Sequence, residues 1–358
     1  MSEIAWCAGR LPPREAQGQG ETPVDFRVAQ EYSFFVHKIP IGILGASGYA
    51  GRELCVLVAQ HPQLELAFAA ANAQRGETMR AGSGEVTFIA ADDVDLSSAE
   101  LIFSALPHGA SGEWVARARA EGRRVVDLSA DLRIGNGALV DGTVVPYGLT
   151  EVNRAALRGA QVVANPGCYP TAILIGLLPL LEGGHVAPGA TITINASSGV
   201  TGAGMAPRTE LLFGEVTENY KAYGVGNDHR HLREMRAMVA GTGADVDLLF
   251  TPHLLPVARG ILATIVVPLV APLADPLAPF RSRWAGERFV EVASEPPTLR
   301  DVVHRNVVRL SARMAGHVRQ PTLLVFAAID NLLKGAAGQA LQNANLALGL
   351  IETTGLPA

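Results

Sequence analysis

The chain has 358 residues, 48% of them hydrophobic and 18% charged, with a formal net charge of −5. That length exceeds one ordinary core, so two domains are expected. Lys and Arg are scattered without a basic run, which argues against nucleic acid or a lipid surface as partner. The apolar stretch 171–181 is interrupted by Pro179 and falls short of the roughly 20 residues that span a bilayer, so it reads as a buried helix. Cys7, Cys55 and Cys168 are odd in number and far apart. They speak against a disulfide framework or a cysteine zinc site and for a reducing compartment.

Residues 1–37 carry Pro12, Pro13, Gly18 and Gly20 and no apolar period. They lack the apolar core of a secretory signal, and acids outnumber bases, unlike a transit peptide. A flexible extension is expected. Order begins at Ile39. Ile41-Gly42-Ile43-Leu44 reads as a strand, Gly45-Ala46-Ser47-Gly48-Tyr49-Ala50-Gly51 as a turn, and the segment from Arg52 to Val58 as a helix. Strand, glycine turn and helix open a dinucleotide-binding unit, in which phosphate oxygens approach amides at the helix start. The plainer reading is a turn with a helix cap.

A second strand, Leu64 to Ala70, follows. An NAD site usually closes this strand with Asp or Glu for the ribose 2′-hydroxyl. Here Ala71-Asn72-Ala73-Gln74-Arg75 stands instead, and Asn72 with Arg75 suits a 2′-phosphate, so NADPH is the expected cofactor. Arg75 as a solvated loop charge is the alternative. Two more strands, from Glu100 and from Arg124, lead into Leu106-Pro107-His108-Gly109 and Ser129-Ala130-Asp131-Leu132-Arg133. Ligands lie beyond the carboxyl ends of parallel strands, so both segments point at the cleft. His108 reads equally well as a helix-cap residue beside Gly109.

From Thr191 onward, β-rich runs at Thr191–Ile194, Val246–Phe250, Ile261–Val267 and Thr322–Ala327 alternate with turns. A mostly antiparallel sheet is expected there. The stretch from Lys334 to Ile351 is Ala- and Leu-rich and helical.

Asn165-Pro166-Gly167-Cys168-Tyr169-Pro170-Thr171 places a thiol at the start of a helix. Unpaired amides there stabilise a thiolate, so a lowered pKa and a nucleophile are expected at Cys168. Cys55, on an apolar helix face, reads as an inert core residue. A thiolate needs a proton partner, and His229 or His231 in His229-Arg230-His231 can serve. Read as a strand, that tripeptide puts both histidines on one face, where they could also bind a metal. No third ligand is spaced to match, and no metal is expected. Ser197-Ser198-Gly199-Val200-Thr201-Gly202-Ala203-Gly204 offers amides and hydroxyls to a phosphate or carboxylate, or is simply a loop.

GASGYAG, ALPHG, DLSADLR, YGLTE, ANPGCYPT, SGVTGAG, HRH, TPHLLPVARGILAT and DNLLKGAAGQALQNANLALG occur in that order. Together they resemble the N-acetyl-γ-glutamyl-phosphate reductase family of arginine biosynthesis, from about Ile39 to the end. The resemblance implies an α/β chain: a Rossmann-type NADP-binding domain over 38–166 and a glyceraldehyde-3-phosphate-dehydrogenase-like α+β catalytic domain over 167–331. A C-terminal helix, 332–358, returns to the first domain. It implies a cytoplasmic homotetramer or homodimer acting on a small acyl phosphate. Cys168 matches the nucleophile and His229 the acid–base histidine, the proton donor as the aldehyde is released. Gly45, Ser47, Gly48, Tyr49, Gly51, Asn72, Arg75, Pro107 and Asn331 fall to the cofactor. His108, Ser129, Arg133, Asn165, Ser198, Gly199, Arg208, His231 and Glu234 fall to the substrate.

Two departures bear on the substrate's carboxylate. Met205 stands where the family often has Arg, with Arg208 three residues on, and Leu232-Arg233 replaces the Thr-Pro of HRHTPE. Aspartyl phosphate and a carrier-bound aminoadipyl phosphate are therefore the rival substrates. A non-catalytic cofactor-binding regulator is the rival from another class, and it would need neither Cys168 nor His229.

Overall fold

Two sheets carry the computed structural model, which describes residues 37–136 and 139–358. The expected extension lies outside the described residues, His37 excepted. The first part runs β1 (Ile39–Leu44), α1 (Tyr49–Gln60), β2 (Leu64–Ala70), hairpin strands β3 (Thr78–Ala81) and β4 (Gly84–Thr87), β5 (Leu101–Ser104) and α2 (Ser111–Ala120). Then come β6 (Arg124–Asp127), hairpin strands β7 (Leu139–Val140) and β8 (Thr143–Val144), α3 (Thr150–Leu157) and β9 (Val162–Ala164). Strands β2-β1-β5-β6-β9 form one parallel sheet. Ile41, Ile43, Phe103 and Val126 pack with Leu54, Cys55 and Val58 of α1 on one face. Leu44, Ile102 and Val125 pack with Val115 and Ala118 of α2 on the other. Burial on both faces is why these strands read as continuous apolar runs.

The second part holds α4 (Cys168–Glu182), β10 (Ala190–Gly199), α5 (Phe213–Val216), β11 (Lys221–Ala222), α6 (His231–Ala240), β12 (Val246–Leu255) and β13 (Ile261–Pro268). It continues through α7 (Ala278–Arg283), β14 (Val290–Val292), β15 (Val308–Met314), β16 (Thr322–Ile329), a π-turn over Leu333–Ala337 and α8 (Gly338–Ala347). The sheet order is β11-β12-β10-β13-β16-β15-β14. Four of its six pairings are antiparallel, and β10–β12 and β14–β15 are parallel. The chain thus has the expected α/β class, a Rossmann-type parallel sheet plus a mostly antiparallel one.

Helix α4 is buried from Tyr169 to Leu181, which explains an apolar sequence on every face. Its Gly176 lets the side chains of Ile265 and Val325 come close; a Cβ there would lie 3.3 and 3.4 Å from them. Pro179 cannot donate to the Ile175 carbonyl four residues back. The Trp284 indole N–H takes that acceptor at 3.0 Å. Helix α8 rejoins the first sheet, with Ala340, Leu341 and Ala344 in one core with Ile41 and Leu54. Among the described residues, no helix is long and apolar enough to cross a membrane.

Candidate active site

The loop after β1 is shaped by glycine. Gly45 has φ +74°, and a Cβ there would overlap the Ala105 carbonyl at the end of β5; a Cβ on Gly51 would overlap the Gly45 carbonyl. Gly48 has no such constraint, its Cβ meeting only an ordinary contact at 3.5 Å. Helix α1 begins at Tyr49 with no side-chain cap and no acid in its first turn, so its leading amides are open to a phosphate. Ser47 and Tyr49 belong to this entrance, and exposed Pro107 lies beyond the end of the neighbouring strand β5. These features fit a dinucleotide. At the end of β2, the Asn72 Oδ1 accepts the Ala91 amide at 2.6 Å. Arg75 is exposed and makes no hydrogen bond or ion pair among the described residues.

Cys168 begins α4, directly beyond β9, at the same carboxyl edge of the parallel sheet. The helix has Gly167 as an N-cap without a side-chain cap and no acid in its first turn. Glu234 on α6 holds this corner. Its Oε2 accepts the Gly167 amide at 3.1 Å and the Tyr147 hydroxyl at 2.7 Å, and its Oε1 accepts Arg133 Nη1 at 2.9 Å. A Cβ on Gly167 would lie 2.6 Å from His231 Nε2 and 2.8 Å from both Arg133 Nη1 and Glu234 Oε1. Only glycine lets these three side chains meet the backbone before the thiol.

The expectation of a lowered thiol pKa needs correction. Burial pushes the Cys168 thiol up, against the opposing pull of Arg133, the Tyr169 amide and Arg230. A helix N-terminus favours the thiolate, but removal from water disfavours it more.

His229-Arg230-His231 is not a strand, which corrects the second expectation. His229 lies in a loop, Arg230 is the N-cap of α6 and His231 its first residue. The two imidazoles still sit close, 4.8 Å between ring centroids. His229 packs edge-on against Tyr169, Tyr223 and Phe250. Its Nδ1 accepts the His231 amide at 3.2 Å, so the neutral ring carries its proton on Nε2. Burial, then the charge of Arg230, lowers its pKa to about 4. His231 is buried, its Nδ1 has no partner, and burial with Arg133 nearby holds its pKa well below the usual value. His108 Nδ1 accepts the Ala130 amide at 2.8 Å. The cap beside Gly109 is instead Asp131, whose carboxylate accepts the Gly109 and Ser111 amides at 2.8 and 3.2 Å.

Several residues expected to face substrate are bonded inward. The Ser129 hydroxyl donates to Asp127 at 2.7 Å and accepts the Asp131 amide at 3.0 Å. Arg133 donates from Nε to the Asn165 carbonyl and from Nη2 to the Leu128 carbonyl, each at 2.9 Å. Asn165 is buried, its Oδ1 accepting from Asn343 at 2.9 Å. Asn331, expected beside the cofactor, accepts the Gly260 amide at 2.7 Å and donates to Thr201 Oγ1 at 2.9 Å. Ser198 Oγ donates to the Gly199 carbonyl at 3.0 Å, and the Gly199 amide donates to Gly260. Arg208 is exposed, and no hydrogen bond ties it to the Cys168 cluster. Of the Leu232-Arg233 departure, Leu232 is a core residue of α6, and exposed Arg233 donates from Nη1 to Asn136 Oδ1 at 2.9 Å.

Two residues not singled out from the sequence join the cluster. The Arg230 guanidinium makes no hydrogen bond or ion pair among the described residues, and its charge acts on Cys168, His229 and His108. Its place between two histidines was visible in the sequence, but only the helix start turns it toward them. Tyr223, for which the sequence holds no cue, meets the Tyr169 hydroxyl at 2.9 Å. Elsewhere, Glu151, Glu287 and Glu352 bring carboxylate oxygens within 4.8 Å of one another. Lys334 already pairs with Glu151, and Arg154 with Glu287 and Glu352. A cavity of about 480 Å³ borders β2 and the β3–β4 hairpin, away from Cys168.

Two family matches cover this architecture: semialdehyde dehydrogenase, NAD binding domain, over residues 40–160, and semialdehyde dehydrogenase, dimerisation domain, over residues 168–331. Aspartate semialdehyde dehydrogenase II from Vibrio cholerae superposes with a TM-score of 0.71 at 19% identity, covering 87% of this chain and 99% of that one. The Candida albicans aspartate semialdehyde dehydrogenase, solved with NADP, gives 0.61 at 15% identity over 86% and 98%. At those identities the likeness concerns the fold. N-acetyl-gamma-glutamyl-phosphate reductase from Laribacter hongkongensis is 42% identical over 342 residues, 89% of this chain and 98% of the relative. That from Moorella thermoacetica is 41% identical over 345 residues, with the same shares. Sequence likeness of this extent, on a chain with a glycine-lined dinucleotide loop and a thiol at a helix start, places it in one family: the chain belongs to the N-acetyl-gamma-glutamyl-phosphate reductases.

Proposed function

We propose that the chain reduces N-acetyl-L-glutamyl 5-phosphate to N-acetyl-L-glutamate 5-semialdehyde and phosphate, using NADPH, through a thioester on Cys168. The observation that carries this reading is Cys168 at the uncapped start of α4, under the charges of Arg133 and Arg230, with His229 and His231 packed against the next residue, Tyr169, at the sheet edge that also bears the glycine loop. With Arg133 paired to Glu234, the Arg230 guanidinium is left to face an acyl phosphate that also carries a carboxylate.

The Cys168 thiolate forms the C–S bond to the acyl carbon, and the C–O bond to phosphate breaks. Arg133 and Arg230 favour the thiolate, and the open amides of α4 face charge developing at the carbonyl oxygen. Gly45, Ser47, Gly48, Tyr49 and Gly51 would hold the phosphates of the dinucleotide, whose reduced nicotinamide would supply the hydride for the thioester carbon. His229 presents its Nε2–H to the oxygen of the tetrahedral adduct, support worth roughly 10²–10⁴ in rate. Collapse of that adduct re-forms the C=O bond and expels the thiolate.

NADPH over NADH is supported by the lack of an acid closing β2 and by exposed Arg75. Substrate contacts fall to Arg230, His108 and His231, with Ser129, Arg133, Asn165 and Glu234 shaping the wall behind them. The match to a dimerisation domain supports a homo-oligomer, dimer or tetramer. A free catalytic thiol suits a reducing compartment, the cytoplasm.

The test is the reverse reaction, phosphate-dependent oxidation of N-acetylglutamate semialdehyde followed by NADPH absorbance, with aspartate semialdehyde alongside. Turnover only with the N-acetylated substrate is expected. Preference for aspartate semialdehyde, or turnover without phosphate, overturns the assignment.

A further inference from the structure

Lys334 is fully buried and takes no part in the chemistry above. A buried ammonium persists only with partners, and here its Nζ donates to Glu151 Oε1 at 2.6 Å and to Gln342 Oε1 at 2.7 Å. Gln342 Nε2 in turn donates to Glu151 Oε1 and to Glu352 Oε1, each at 2.9 Å. Arg154 extends the chain of charges, reaching Glu352 at 2.6 Å and Glu287 at 2.5 Å. Glu151 lies on α3 and Gln342 on α8, both packed against the first sheet, so the network anchors Lys334 to that side of the molecule.

Lys334 also lies within the π-turn. The bonds Gly335 N to Asp330 O at 2.9 Å and Ala337 N to Leu332 O at 2.8 Å each span five residues. Such a turn is rare and holds one residue more than an α-helical turn. It rests on the nucleophile's own backbone: a Cβ on Gly335 would lie 2.7 Å from Cys168 Cβ and 3.2 Å from Cys168 Cα. Three residues before the thiol, Asn165 Nδ2 donates to the carbonyl of the next residue of the turn, Ala336, at 3.3 Å.

We propose that Lys334 is a positioning residue for Cys168: its pairing with Glu151 and Gln342 holds the π-turn in the register that seats Gly335 against the nucleophile. A buried ion pair is seldom kept for stability, since a neutral pair of like volume often does as well. A pair between fixed elements does select one register over its neighbours. One added or lost residue in the turn would carry Gly335 away and leave a side chain facing the thiol. The proposal rests on Cys168 being the nucleophile.

The experiment compares the full-length parent with the Lys334→Met/Glu151→Gln double variant and with Gly335→Ala. The readouts are melting temperature, NADPH binding, kcat, and the pH profile of Cys168 alkylation by iodoacetamide. The double variant is expected to melt within a few degrees of the parent and to bind NADPH normally. Its kcat should fall roughly tenfold or more, since ångström-scale misplacement has effects of that order, and its alkylation profile should move. Parental kcat and alkylation in the double variant overturn the proposal. Should that variant not fold, Gly335→Ala decides, because its methyl meets Cys168 directly; parental kcat and alkylation there overturn it equally. Full activity of Cys168→Ser would instead sink the nucleophile assignment, a result the alkylation profiles do not mimic.

Discussion

Glu234 Oε2 accepts the amide of Gly167 at 3.1 Å, so a side chain from the second sheet's layer fixes the peptide immediately before the thiol. The other oxygen of the carboxylate holds Arg133, which comes from the loop after β6. One carboxylate thereby ties the two halves of the molecule together at the point where Cys168 must be aimed.

Removing that carboxylate should be severe. Glu234→Ala leaves the Arg133 guanidinium buried without its charged partner, a change of about 3–5 kcal/mol in stability for pairs of this kind. Urea unfolding measures it. A variant with parental stability and kcat would show that the contact is incidental.

Cys168→Ser should abolish turnover yet bind NADPH, because the glycine loop and α1 do not depend on the thiol. His229→Ala should be slow but still form the thioester, giving a burst of phosphate without aldehyde in rapid-quench experiments. His231→Ala should be the milder change. The reverse order for the two histidines would exchange their roles.

Arg75→Ala should raise KM for NADPH and leave that for NADH nearly unchanged. Equal effects on both cofactors would remove Arg75 from the 2′-phosphate site.

Arg230 carries a charge without an ion-pair partner among the described residues. Arg230→Ala should raise KM for the acyl phosphate roughly tenfold, the size of one charged hydrogen bond, and slow Cys168 alkylation at neutral pH. Unchanged KM with slower alkylation would confine Arg230 to supporting the thiolate.

The histidines also predict a pH dependence of stability. His229 falls from 6.5 to about 4 in the folded chain, and burial also holds His231 well below its usual value. Between those values the unfolded chain binds protons that the folded chain does not. Stability is then fully present above about pH 6.5 and declines as the pH falls toward 4. Scanning calorimetry across that window should show a falling melting temperature, with a shallower fall for His229→Gln. An equal slope in that variant would place the effect elsewhere.

By itself the sequence determined the glycine loop, the strand before it and the helix after it, the buried helix from Thr171 and the thiol at its start. These depend on neighbours along the chain: a positive φ at Gly45, apolar runs, and prolines around Cys168. Only the tertiary structure decided the rest. It made His229-Arg230-His231 a helix start, because α6 needs the chain to enter from that side to bury Leu232 and Met235. It raised the Cys168 thiol that local geometry alone would lower, because desolvation comes from everything packed around the group. It turned Ser129, Arg133 and Asn165 inward through bonds to their surroundings, and it paired Lys334 with Glu151 across 183 residues of chain. Hydrogen bonds and charge pairs between distant segments follow from how the sheets and helices pack, and no local pattern of residues encodes them.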